Sequence, residues 1–190
     1  MSIKQTYAVF GLGRYGIAVA KELVESGAEV LAIDMDEDIV NAASLVLPYC
    51  KKADVTDVEV NTVSSAYTDG LATVNGISGV ATLKFGTSKL YGEATLTLPA
   101  GTTKIAFYAV GWKGTSASLE FSIGETILGT QALAANDGAT SNAPYTMTVT
   151  ASDFYTFSLP EQLTEETVVT VKTTGAYRAI MFGIKAIVEE

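Results

Sequence analysis

The apolar periodicity of this chain changes near residue 58, and no single regular architecture accommodates both halves. Before that point, short apolar runs alternate with segments of helical spacing. From Leu71 onward the apolar residues recur at every second position. Composition shifts with the period. Of 24 threonines, two (Thr6 and Thr56) precede the change and 22 follow it. Charged residues number 14 in the first 57 positions and 19 in the remaining 133. Residues 1–58 therefore read as one segment and residues 61–190 as a second domain. A domain of about 130 residues buries a real core, whereas one of about 57 is marginal alone.

Bulk properties exclude several functions. The net charge is −9, with −4 before residue 58 and −5 after it, which argues against nucleic-acid binding and docking on anionic membranes. The aromatic residues lie among Thr and Gly rather than Lys and Arg, so no base-stacking groove is expected. The absence of histidine removes Ser-His-Asp and Cys-His catalysis and the commonest zinc ligand. Cys50, the single cysteine, reads as a small buried residue. Residues 8–20 are interrupted by Gly11, Gly13, Arg14 and Gly16 and do not read as a secretory signal. No apolar run approaches the length of a membrane span, so membrane insertion is not expected. The lack of a secretory signal gives a cytoplasmic location as the expectation.

The first segment has the order β-α-β-α-β. Tyr7–Phe10 reads as a buried parallel strand, followed at once by Gly11-Leu12-Gly13-Arg14-Tyr15-Gly16. Residues 15–26 have helical spacing, with Ile17, Val19, Ala20, Leu23 and Val24 on one face and Gly27 as the stop. Glu29–Ile33 is a second strand, with Asp34 at its end. Residues 37–47 form a second helix through Ile39, Val40, Ala43 and Leu47, ended by Pro48, and Tyr49–Val55 is a third strand.

This is the first half of a Rossmann sheet, with a GxGxxG turn between strand and helix. Gly11 permits the tight turn, Gly13 lets a pyrophosphate approach the backbone, and Gly16 lets helix and strand pack closely. The helix N-terminus offers N–H groups and a positive dipole end to phosphates. Asp34, 18 positions beyond Gly16, is placed to accept hydrogen bonds from ribose hydroxyls. Arg14 reads as a phosphate contact or as a surface charge.

The run Tyr7 to Gly16, then Ala20 to Gly27, Glu29 to Glu37 and Ala53 to Asp57, resembles the RCK or KTN domain, of TrkA-N type, of bacterial potassium channels and transporters. The resemblance covers residues 4 to about 60. It implies a cytosolic, non-catalytic regulatory domain that binds NAD(H), ATP or ADP and self-associates. By that resemblance Gly11, Leu12, Gly13, Arg14, Tyr15 and Gly16 face the phosphates, Asp34 and Met35 the ribose, and Asp54 and Val55 the adenine. Such domains continue with a helix and further parallel strands. Here no βαβ pattern follows residue 60, so half of the sheet is missing.

The second segment alternates apolar and polar residues over Ala94–Leu98, Ile105–Ala109, Ala117–Ile123, Val169–Lys172 and Ile180–Ala186. One apolar and one polar face indicate antiparallel sheets over a shared core. Turn signals at Pro99–Gly101, Lys113-Gly114, Asn136–Gly138 and Pro160 separate eight to ten short strands, so a jelly-roll-like sandwich is expected. Residues 96–102, 107–114, 131–139 and 178–184 resemble the jelly-roll domains of secreted and surface proteins of Bacteroidales. That resemblance implies a non-catalytic module of the cell surface, with a carbohydrate or protein ligand.

Trp112 is a candidate sugar-stacking platform or a half-buried strand-end aromatic. Asn136 and Asp137 are candidate calcium ligands or a polar turn, short of the oxygens calcium needs. Arg178 reads as a structural hydrogen-bond donor, and Tyr108 and Tyr145 as core. The two halves resemble proteins of different compartments, which implies an artificial or recombined chimera. The alternative is that residues 1–60 are a decayed or domain-completing element. Residues 61–190 alone are expected to melt cooperatively with strand-type circular dichroism, and an isolated fragment of residues 1–60 to lack dispersed amide signals, because it buries too little surface to offset chain entropy.

Overall fold

The computed structural model describes residues 6–136 and 145–188. The chain divides into two compact units, residues 1–56 with 187–190, and residues 57–186.

In the first unit, β1 (Thr6–Phe10), α1 (Arg14–Glu25), β2 (Glu29–Asp34), α2 (Glu37–Ser44) and β3 (Cys50–Lys52) follow in order. The described strands form a parallel sheet of order β3-β2-β1, with Ala8 opposite Leu31 and Ala32 opposite Cys50. Parallel neighbours one helix apart are what a βαβ repeat produces. Ala20, Val30, Ala32, Ala43 and Leu47 are buried together, with Tyr7, Val9, Ile17 and Leu23 packed on them. Val19, expected on the apolar face of α1, is exposed instead. The helix meets one layer of strands only, so its apolar stripe is narrower than its sequence suggests. α2 ends at Ser44, three residues before the expected stop. The chain turns through Leu45 and Val46, yet Leu47 still reaches the core. The expected third strand is broken. Ala53, which donates to the Asp34 carbonyl at 3.0 Å as the last bond to β2, lies between β3 and β4 (Asp54–Asp57).

The second unit is all-β. Its strands are β5 (Glu59–Ser64), β6 (Ala66–Val74), β7 (Ile77–Phe85), β8 (Glu93–Leu98), β9 (Thr102–Trp112), β10 (Ala117–Ile123), β11 (Thr126–Leu133), β12 (Ala135–Asn136), β13 (Tyr145–Met147), β14 (Phe154–Ser158), β15 (Thr167–Thr174) and β16 (Ala179–Val188). That is twelve among the described residues, against eight to ten expected, because β5 and the very short β12 and β13 carry no periodicity. The smaller sheet has the order β11-β10-β15-β8-β5 and the larger β12-β9-β16-β7-β6-β13, with β14 alongside β9. Leu96, Leu98, Leu119, Phe121, Val169 and Val171 of the smaller sheet meet Phe85, Ile105, Phe107, Phe157 and Met181 of the larger. Phe121 stacks on Phe157 with ring centroids 4.1 Å apart.

Strands β8, β10 and β15 alternate buried and half-buried positions, as expected of a sheet with one covered face. Strands β9 and β16 do not. Ile105, Ala106, Phe107, Ala109 and Val110 are all buried, as are Ala179, Ile180, Met181 and Phe182. A second cluster covers the outer face of the larger sheet, where Val110, Trp112, Ile180 and Phe182 meet Ala72, Val74, Met147 and Val149. Tyr108 joins it half-buried, stacked on Phe182 at 5.3 Å. The side chain of Tyr145 and the turn residues Asp137 and Gly138 lie outside the described residues.

The β6–β7 hairpin turns at Asn75-Gly76, both at positive φ (50° and 83°), the pattern of a type I′ turn. The Asn75 amide Nδ2 donates to Val149 O at 3.0 Å, and its Oδ1 accepts from Val149 N at 2.9 Å. One side chain thereby ties the hairpin tip to the segment that closes the outer cluster. Asn75→Gly keeps the turn and removes the tie. It is expected to cost about 1–3 kcal/mol in the denaturant midpoint of the sandwich. Asn75→Ala is expected to cost about 1 kcal/mol more, because alanine is strained at positive φ.

Candidate functional site

The glycine turn lies in the first unit, where β1 gives way to α1. Gly11 stands at φ +81°, a conformation open to glycine at little cost, and its N–H donates to Ile33 O at 2.8 Å. This bond lays the turn across the end of β2. Gly13 is the N-cap of α1, and no side chain caps that helix end. Four amides at a helix start lack intrahelical partners, so this end keeps donors and a positive dipole. A Cβ on Gly13 would find nothing within 4 Å, so the space above the turn is open. A Cβ on Gly16 would lie 1.8 Å from Gly11 O, so only glycine fits there.

Leu12 is divided by its structure. Its side chain is buried in the core, and its N–H donates to Asp34 Oδ2 at 2.5 Å. The other oxygen, Oδ1, accepts from Asp36 N at 2.9 Å. Asp34 thus braces the glycine turn and the lead into α2. Asp36 in turn caps α2 by accepting from Asp38 N at 2.9 Å and Ile39 N at 3.3 Å. The sequence reading passed over Asp36, although an Asp directly before a helical run is an ordinary cap signal. Arg14, Tyr15 and Met35 are exposed around the turn. Asp54, exposed, and Val55, half-buried, begin β4. Lys52 pairs with Glu37 at 3.6 Å on the surface. The arrangement offers uncapped amides, an open approach and one carboxylate, which suits an anionic ligand carrying hydroxyl groups.

Candidates in the second unit fare differently. Trp112 is 5% exposed and cannot serve as a sugar platform. Lys84 Nζ lies 5.2 Å and Arg178 Cζ 5.5 Å from its ring centroid. Arg178 is therefore placed by a cation–π contact, and its buried Nε has no hydrogen-bond partner, contrary to the donor role expected for it. Asn136 lies in β12, opposite Trp112, and its Nδ2 donates to Thr148 O at 2.8 Å, while Asp137 lies outside the described residues. Among the described residues no group of three or more Cys, Asp or Glu could hold a metal ion, and no helix is long and apolar enough to cross a membrane.

Residues 7–62 match the TrkA-N domain family. The chain is 43% identical over 58 residues to Ktr system potassium uptake protein C of Bacillus subtilis (strain 168), an alignment covering 30% of this chain and 26% of that protein. It is 58% identical over 38 residues to Ktr system potassium uptake protein A of Vibrio alginolyticus, covering 20% and 17%. The chain thus spans about a quarter or less of the relatives it matches. Among solved structures it is similar to the CBM22-1 xylan-binding domain from Paenibacillus barcinonensis, with 14% identity, coverage of 73% and 96%, and a TM-score of 0.41. It is also similar to the CBM36-1 domain of a multidomain xylanase from the hindgut metagenome of Trinervitermes trinervoides, with 13% identity, coverage of 70% and 98%, and a TM-score of 0.39.

The two inner glycines are expected to respond oppositely. Gly16→Ala should destabilise the first unit by about 3 kcal/mol or more, because the turn backbone must move. Gly13→Ala should change stability by no more than about 1 kcal/mol, the loss at an N-cap that it merely weakens. Amide dispersion and melting temperature of the two full-length variants check this.

Proposed function

We propose that residues 1–58 are a non-catalytic, regulatory nucleotide-binding segment of the kind found in potassium uptake systems, with an adenine nucleotide as ligand. The observation that carries the reading is the open, uncapped N-terminus of α1 above Gly13, with Asp34 fixed 2.5 Å from the turn. The similarity of residues 7–62 to the TrkA-N family supports it. Phosphates take the amides of Gly13 to Gly16 and the dipole end, with Arg14 beside them. Asp34 accepts from a ribose hydroxyl through the lone pairs its internal bonds leave open. Tyr15 and Met35 flank the approach, and Asp54 and Val55 stand toward the base. NAD(H), ADP and ATP share this chemistry.

Binding is weak, because half of the sheet that forms the other wall of a dinucleotide crevice is missing. Self-association through this segment supplies such a wall. The second unit, by its sequence resemblance, is a carbohydrate- or protein-binding module. Since Trp112 is buried, any stacking surface there is built from other aromatics.

Millimolar ADP or NADH is expected to raise the melting temperature of the transition that includes residues 1–56. With a Kd of about 1 mM, 10 mM ligand adds about 1.4 kcal/mol. Gly13→Val should abolish the shift by filling the phosphate position, and Asp34→Ala should reduce it. Each shift is measured against the same variant without ligand. An undiminished shift in Gly13→Val overturns the site.

A further inference from the structure

The second unit carries a pair of exposed tyrosines whose mounting is far more elaborate than a surface loop requires. Tyr91, between β7 and β8, and Tyr177, between β15 and β16, have ring centroids 4.7 Å apart, tilted by 53°. Both are 42% exposed, and Leu90 beside them is 58% exposed. The loops beneath are locked together. Thr173, fully buried, accepts from Gly92 N at 2.9 Å and donates to Tyr177 O at 3.0 Å. One hydroxyl thereby joins the residue after Tyr91 to the backbone of Tyr177. A Cβ on Gly86 would lie 1.7 Å from Tyr177 O, and one on Gly92 2.3 Å from Gly86 N, so the loops touch through bare backbone. Thr87 Oγ1 accepts from the amides of Lys89 and Leu90 at 3.2 and 3.1 Å, which fixes the approach to Tyr91.

Burial explains none of the exposed rings. The sandwich core and the outer cluster are complete without Leu90, Tyr91 or Tyr177. We propose that the Tyr91–Tyr177 pair is a preorganised binding site for a neutral saccharide, each ring receiving the apolar C–H face of a sugar. This rests on the carbohydrate-binding reading of the second unit and gives it a place.

The chemistry selects the occupant. The patch is three residues, far short of the roughly 20–30 a side of a standard protein interface, so a second copy or a folded partner is too large a match. Tyrosines offer a flat apolar face with a polar rim, which suits a ligand that is apolar on its faces and hydroxylated at its edges. Lys89 is the one charged residue of the Tyr91 loop, Lys172 stands opposite Glu93, and Arg178 beside Tyr177 lies over the Trp112 ring, so a polyanion finds few cations free to bind it. The tilt excludes a flat crystalline surface and favours a soluble chain whose successive rings turn. Rigid mounting lowers the ordering cost on binding, which is how so small a contact becomes useful.

The test is affinity electrophoresis of the full chain in native gels containing xylan, β-1,4-galactan or mixed-linkage β-glucan, with dextran sulfate as the anionic comparison. At least one neutral polymer should retard the protein. Tyr91→Ala and Tyr177→Ala should each weaken retardation at least tenfold, with melting temperatures kept, while Tyr177→Phe stays within threefold of the parent. Retardation that survives the double alanine variant overturns this site and leaves the carbohydrate-binding reading standing. No retardation by any neutral polymer overturns both. Retardation by dextran sulfate alone, or a dimer in sedimentation that dissociates in the alanine variants, also overturns the site.

Discussion

The centre of the larger sheet, strands β9 and β16, is buried on both faces, and the second unit depends on that burial. Strands β9 and β16 send Ile105, Phe107, Ala179 and Met181 inward and Val110, Trp112, Ile180 and Phe182 outward, and each set finds its own cluster. A strand covered on both sides has no solvent face, so its polar backbone must be fully paired. β9 achieves this with β16 along one edge and β14 and β12 along the other. The outer cover is thin. It is built from the end of β6, from β13, and from Val149; β13 is bonded to β6 along the backbone, and the Asn75 side chain ties Val149 to the hairpin tip.

This explains which parts of the fold were legible in the sequence. The βαβ half could be read because its interactions are local. Tyr7–Phe10, the glycine turn and the two helical faces lie within one crossover of each other. The smaller sheet could also be read, since β8, β10 and β15 have one wet face and alternate accordingly. β9 alternates large and small residues, Ile105-Ala106-Phe107, which looks like an apolar and a polar face until both prove buried. The outer cover could not be foreseen, because Ala72 and Val74 lie more than 70 positions from Met147 and Val149 in sequence. Asn75-Gly76 was a legible hairpin signal that the sequence reading did not use.

Single residues show the same division. Gly16 was read as letting helix and strand pack, and the structure places the tight approach within the turn itself, at Gly11 O. For Trp112 the sequence left open a platform or a half-buried strand-end aromatic, and the ring is more deeply buried than either. Its burial follows from the outer cluster around it and from Lys84 of β7 and Arg178 of the loop before β16, whose cationic groups lie over the ring. Tyr91 and Tyr177 went unremarked for the converse reason. They are 86 positions apart in sequence, and meet because β7 pairs with β16 and β8 with β15, with Thr173 and two glycines closing the loops between.

Asp34 joins two segments that the chain keeps apart. One of its oxygens holds Leu12 N–H and the other holds Asp36 N–H. A carboxylate shared in this way makes the glycine turn and the start of α2 a single cooperative opening unit. Neither can swing outward without stripping a charged acceptor of a partner. The amides of Leu12 and Asp36, 24 positions apart, would then exchange with solvent through the same fluctuation. The turn is thus held near one shape by a single carboxylate, and the exchange of these two amides reports one shared opening.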